Sequence, residues 1–117
     1  MKKLLVTALA SLAFLAPLSL DAHSEKENTV PADGAVLAAS PTTIGMTFDR
    51  PMRVTMLRLK DAQGQEYEVS RTDGMAPVTE FRATPETLGD GEYEVEWRGL
   101  AEDGHPMQGS FSFTLAD

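Results

Sequence analysis

Apolar and polar residues alternate with a period of two over most of the chain. The clearest run is Glu92-Tyr93-Glu94-Val95-Glu96-Trp97, which puts three glutamates on one face and Tyr, Val and Trp on the other. That pattern predicts a half-buried strand with its apolar face in a core. Ser110-Phe111-Ser112-Phe113-Thr114-Leu115 repeats it at the C-terminal end. Ile44, Met46 and Phe48 alternate with Gly45 and Thr47 in the same way. Further strands are expected at Arg53–Lys60, Gln65–Ser70 and Val78–Ala83, with a weakly patterned one at Glu25–Val30. Turn chemistry separates them at Pro31-Ala32-Asp33-Gly34, Asp61-Ala62-Gln63-Gly64, Asp73-Gly74 and Gly89-Asp90-Gly91. Pro85-Glu86-Thr87-Leu88 has room for one helical turn and no more. No segment holds a helical period for ten residues. Short strands at regular spacing predict an all-β fold: a single small β-sandwich with Greek-key connections.

The N-terminal end breaks this pattern. Lys2 and Lys3 precede an uncharged, almost wholly apolar run from Leu4 to Leu20, and Asp21-Ala22 then leads into His23-Ser24-Glu25-Lys26. A basic start, an apolar centre and a small residue at the break read as a secretory signal peptide, residues 1–22, cut after Ala22. The run of about 17 residues is at the short limit for crossing a bilayer. The domain proper is then residues 23–117.

Charge and composition narrow the partners. The formal net charge of −8 becomes −9 once residues 1–22 are removed. An acidic domain repels nucleic acid and anionic lipid and draws cations towards it. No membrane insertion of the mature chain is expected. The sequence has no cysteine. Thiolate zinc sites, iron–sulfur clusters, blue-copper centres and cysteine nucleophiles are therefore excluded. There is no phosphate-cradling glycine loop, and no serine or threonine stands at a diagnostic spacing from a histidine.

Two histidines remain. Cleavage after Ala22 gives His23 both a free α-amino group and an imidazole, and the amine nitrogen and Nδ1 can close a six-membered chelate ring on one metal. The alternative is a frayed end that happens to begin with histidine. His105 lies in Asp103-Gly104-His105-Pro106, between the two best strands. In an extended segment, residues two apart point the same way, so Asp103 and His105 can face one point. The alternative is a polar connection in which Asp103 caps a turn and His105 is solvated. Together His23, Asp103 and His105 offer two imidazoles, an amine and a carboxylate without sulfur. That set suits tetragonal Cu(II), with zinc a weaker occupant.

His23, Pro31-Ala32-Asp33-Gly34-Ala35, Phe48-Asp49, Tyr93-x-Val95-x-Trp97-Arg98 and Asp103-Gly104-His105-Pro106-x-x-Gly109-Ser110-Phe111-x-Phe113 occur in this order. In this the chain resembles the CopC/PcoC family of periplasmic copper-binding proteins. The resemblance implies a cupredoxin-like or Ig-like sandwich that binds Cu(II) through His23, Asp103 and His105. It also implies a carrier or buffer role in copper resistance or homeostasis, with delivery to a membrane copper importer or another periplasmic copper protein. Two departures stand out. Many members have Ser-Glu after the strand phenylalanine, where this chain has Asp49-Arg50. Arg50 cannot ligate and would put a cation near the metal, while Asp49 should point away from residue 50. Some members hold Cu(I) in a methionine-rich loop, whereas Met46, Met52, Met56, Met75 and Met107 are scattered here and read as core filler. Two other readings share the same residues. One is a copper-dependent oxidative enzyme using the His23 brace. The other is a metal-free β-sandwich interaction module.

Overall fold

The computed structural model describes residues 26–117, with side chains from Asn28 onward. All regular structure in this span is strand. The strands are β1 (Lys26–Val30), β2 (Ala35–Leu37), β3 (Ile44–Asp61), β4 (Glu66–Tyr67), β5 (Val69–Arg71), β6 (Pro77–Pro85), β7 (Gly91–Ala101) and β8 (Pro106–Leu115). The all-β expectation holds.

The architecture turns on β3. Its first part pairs with β1 on one side and β6 on the other. Its second part pairs with β7 and β4. The changeover falls at Met52, which stands opposite both Val78 and Ala101. Pro51 explains why it falls there. Proline has no amide proton to give a ladder, and the β3–β6 register slips between Thr47 and Met52. One layer thus carries β1, the start of β3, β6 and β5. The other carries β4, the rest of β3, β7, β8 and β2.

The period-two residues meet between the layers. Ile44, Met46 and Phe48 face Val95, Trp97, Phe111 and Phe113 in one buried cluster that also takes in Phe81 and Leu59. The Phe48 and Trp97 rings meet edge to face at 5.4 Å. The glutamates at 94 and 96 are partly exposed on the outer face, where Glu96 pairs with Lys60 at 3.0 Å. Met46 and Met52 are core, as expected of methionine filler.

Some elements differ from expectation. Ala35–Leu37 pairs in parallel with Phe113–Leu115, an edge strand that three residues of sequence do not announce. The expected strand at 65–70 divides at Glu68, with Glu66–Tyr67 joining β3 and Val69–Arg71 joining β6. No helical turn forms at 85–88. Its backbone donors are taken elsewhere: the Glu86 amide donates to the Glu68 carbonyl (3.0 Å) and the Leu88 amide to Ser40 Oγ (2.9 Å).

Candidate functional site

β7 and β8 form a hairpin, and its loop carries Asp103 and His105. The last ladder pair is Leu100 with Pro106. The Gly104 amide donates to the Ala101 carbonyl and the Ala101 amide to the His105 carbonyl, both at 2.9 Å. Gly104 has φ +89°. A four-residue turn followed by a left-handed glycine is a common hairpin closure, and glycine enters that region without a Cβ penalty.

The turn brings the two side chains into contact. The Asp103 carboxylate bonds His105 Nδ1 through Oδ2 at 2.7 Å. Its Oδ1 accepts the His105 backbone N–H at 3.1 Å. Asp103 and His105 are therefore neighbours, as the D-x-H spacing predicts. The cause is different, because a tight turn joins them where an extended pleat was expected. The reading of Asp103 as a turn cap is met by the same bonds. Both side chains are open to solvent, 65 % and 76 % exposed respectively.

Those bonds shape the chemistry. The His105 amide, and then its ring, hold the Asp103 carboxyl below the usual aspartate range. Asp103 is thus ionised through neutral pH. A carboxylate against Nδ1 fixes the tautomer with its proton there and leaves Nε2 as a lone-pair donor directed outward. Each carboxylate oxygen also keeps a second lone pair. In this arrangement the loop offers a metal the Nε2 nitrogen, with Asp103 orienting the ring; with the Asp103–Nδ1 bond opened it can offer an imidazole nitrogen and a carboxylate oxygen to one ion. Among the described residues, no three His, Asp or Glu side chains come together to hold a metal. His23 lies outside the described residues, so the third expected ligand is neither joined to the pair nor separated from it.

Sequence reasoning put Arg50 near the site but pointed Asp49 away from it, and the structure brings both to the loop. Asp49, Arg50, Pro51 and Met52 line, together with Ala101, Glu102 and Asp103, an open cleft of about 570 Å³. Asp49 and Arg50 both line it, whereas strict alternation points them apart. The slipped register at Pro51 breaks the period of two. A proline inside an apolar-patterned strand was the signal available for this bulge.

The fold and the motifs have known counterparts. A family model described as the CopC domain matches residues 26–116. A copper resistance protein C from Escherichia coli is 30% identical, over 80% of this chain and 82% of its own. Its counterpart from Xanthomonas campestris pv. juglandis is 28% identical, over 97% of this chain and 96% of its own. Among solved structures, CopC from Methylosinus trichosporium OB3b superposes with a TM-score of 0.65 at 24% identity, covering 80% of this chain and 93% of that one. PcoC from Escherichia coli, described as a methionine-rich copper resistance protein, superposes with a TM-score of 0.60 at 26% identity, covering 81% of this chain and the whole of that one. The match over 26–116 takes in every strand described and the Asp103–His105 loop, and the chain belongs to the CopC domain family.

Proposed function

We propose that this chain is a periplasmic Cu(II) carrier or buffer that serves copper resistance or homeostasis. It is exported by the leader at 1–22 and binds one Cu(II) through the amine and imidazole of His23, with Asp103 and His105. The observation that carries the reading is the Asp103–His105 pair, a carboxylate and an exposed imidazole held in contact by one turn, which an ion would take up together as the bond between them opens. Chain geometry supports the partnership with His23. Lys26 stands opposite Phe48, one residue before the cleft wall. Three residues reach at most about 10 Å, so a histidine at 23 is within range of that end of the sandwich. Two imidazoles, an amine and a carboxylate suit Cu(II) in preference to softer or harder ions, and Cu(II) heads the affinity order for such donors. The relatives' names as copper resistance proteins agree with copper as cargo. In this reading the bound ion is handed to a membrane copper importer or another periplasmic copper protein.

Two preparations test the proposal: the chain beginning at His23 with a free amine, and the same chain with one residue added in front. Cu(II) titration followed by visible absorption and electron paramagnetic resonance should show nitrogen ligation and tight binding only in the first. Equal affinity and equal spectra would remove the His23 brace. His105→Ala should weaken Cu(II) binding at least about tenfold, since losing even an outer partner of a ligand costs roughly 10–100-fold, without altering the far-ultraviolet spectrum of the fold. Unchanged binding would remove the loop from the site.

A further inference from the structure

The cleft beside the candidate loop holds one feature that a cation site does not call for. Arg50 lines the same 570 Å³ space as Asp103, on the β3 bulge that faces the β7–β8 hairpin. Its side chain is exposed, and among the described residues no carboxylate is within ion-pair distance of it. At physiological ionic strength a fixed charge is felt over about 8 Å, and Arg50 and Asp103 line one and the same cleft. A fixed positive charge on one wall is therefore felt by an ion on the other.

Resting on the copper-carrier reading, we propose that Arg50 is an affinity-limiting residue. It keeps Cu(II) at Asp103–His105 more weakly bound than the donor set alone would hold it, and so makes the cargo releasable. The guanidinium stays charged at every physiological pH. It cannot be displaced by metal as a proton can, nor can it ligate. Its only action on a bound cation is repulsion, together with partial neutralisation of the acidic wall formed by Asp49, Glu102 and Asp103. At a separation on the order of 10 Å, two elementary charges against one in a largely aqueous setting at low salt correspond to roughly a three- to tenfold loss of affinity. The effect scales with the charge of the ion and not with its ligand preference. It should therefore be the same for Cu(II) and Zn(II), although the two differ in intrinsic affinity.

The test uses the chain beginning at His23, with Arg50→Gln and Arg50→Lys variants. Cu(II) and Zn(II) dissociation constants are measured by competition with a chelator at low and high salt. Arg50→Gln should bind both ions about three- to tenfold more tightly at low salt, with the gain shrinking as salt rises. Arg50→Lys, which keeps the charge, should stay at the wild-type value. Equal behaviour of the Gln and Lys variants, or an unchanged or weaker affinity in Arg50→Gln at low salt, overturns the inference while leaving the copper site standing. If the wild-type chain binds Cu(II) no better than His105→Ala does, the carrier reading itself fails and the inference falls with it.

Discussion

Asp103 does two things at once: it bonds the backbone that builds the loop and the ring proposed to hold the metal. Asp103→Asn keeps the shape but replaces one acceptor oxygen with a donor. It should lower Cu(II) affinity about ten- to hundredfold, the usual effect of losing a carboxylate partner of a ligating histidine, as read by chelator competition. The pH dependence has a fixed sign. The Asp103 carboxyl titrates below the ordinary value of 3.8, so its bonds to His105 are complete above that value and are lost as pH falls through the lowered one. The side-chain carboxyl carbon resonance of Asp103 should therefore titrate with its midpoint below 3.8. Gly104 is the other residue that fixes the loop. Its φ of +89° is a conformation that a side chain strains, and Gly104→Ala should cost about 1–2 kcal/mol in denaturant unfolding. The residues of this loop were legible in the sequence, since a histidine, a carboxylate and a glycine stood together between two strong strands. The turn that joins them was not, because Asp-Gly serves extended and turning backbones alike.

At the scale of the element, sequence and structure agree best where the pattern is longest. β7 and β8 extend the predicted alternation at 92–97 and 110–115. β3 was expected as two strands and is one, because its residues change partners without leaving the extended conformation. The short edge strand β2 takes its structure from the neighbour it pairs with, and three residues cannot signal that. The β7–β8 hairpin also depends on a missing side chain. Trp97 lies opposite Gly109, and a Cβ there would come within 2.8 Å of the indole nitrogen. That nitrogen is buried with no hydrogen-bond partner among the described residues. Gly109→Ala should cost about 1–3 kcal/mol through overpacking and alter the emission of Trp97, the one tryptophan. At the opposite end of β3, the Tyr67 hydroxyl donates to Asp61 at 2.8 Å, and that bond pushes the phenol up to about 12. Burial raises the other tyrosine, Tyr93. Alkaline titration of the folded chain at 295 nm should show little phenolate at pH 10. The stability owed to the Tyr67 bond is whole below pH 10 and lost as pH rises through about 12.

For the whole molecule, the decisive quantity is one shared core. With no cysteine to cross-link it, the domain is held by the cluster around Phe81, Trp97, Phe111 and Phe113. Phe81 lies under the Arg71 guanidinium, 5.0 Å from the ring centre. Arg71 in turn reaches the Val54 carbonyl at 2.6 Å and pairs with Asp73 at 2.7 Å. Phe81→Ala should remove about 3–5 kcal/mol, measured as a lower denaturation midpoint. For a domain of this size that is a large share of the 5–15 kcal/mol available.

The passage of β3 from one layer to the other bears on how the molecule opens. A sandwich whose layers are joined only by loops can lose one sheet while the other persists. Here the same strand is hydrogen-bonded in both, and Met52 is shared between them. Neither layer can come apart without withdrawing an interior strand from the other. Native-state hydrogen exchange should therefore find one protection free energy for the amides of Met46 and Leu59, although they lie in different layers. The residues flanking the candidate site at Met52 and Ala101 would then be anchored with the stability of the whole fold, while the 102–105 loop between β7 and β8 fluctuates on its own.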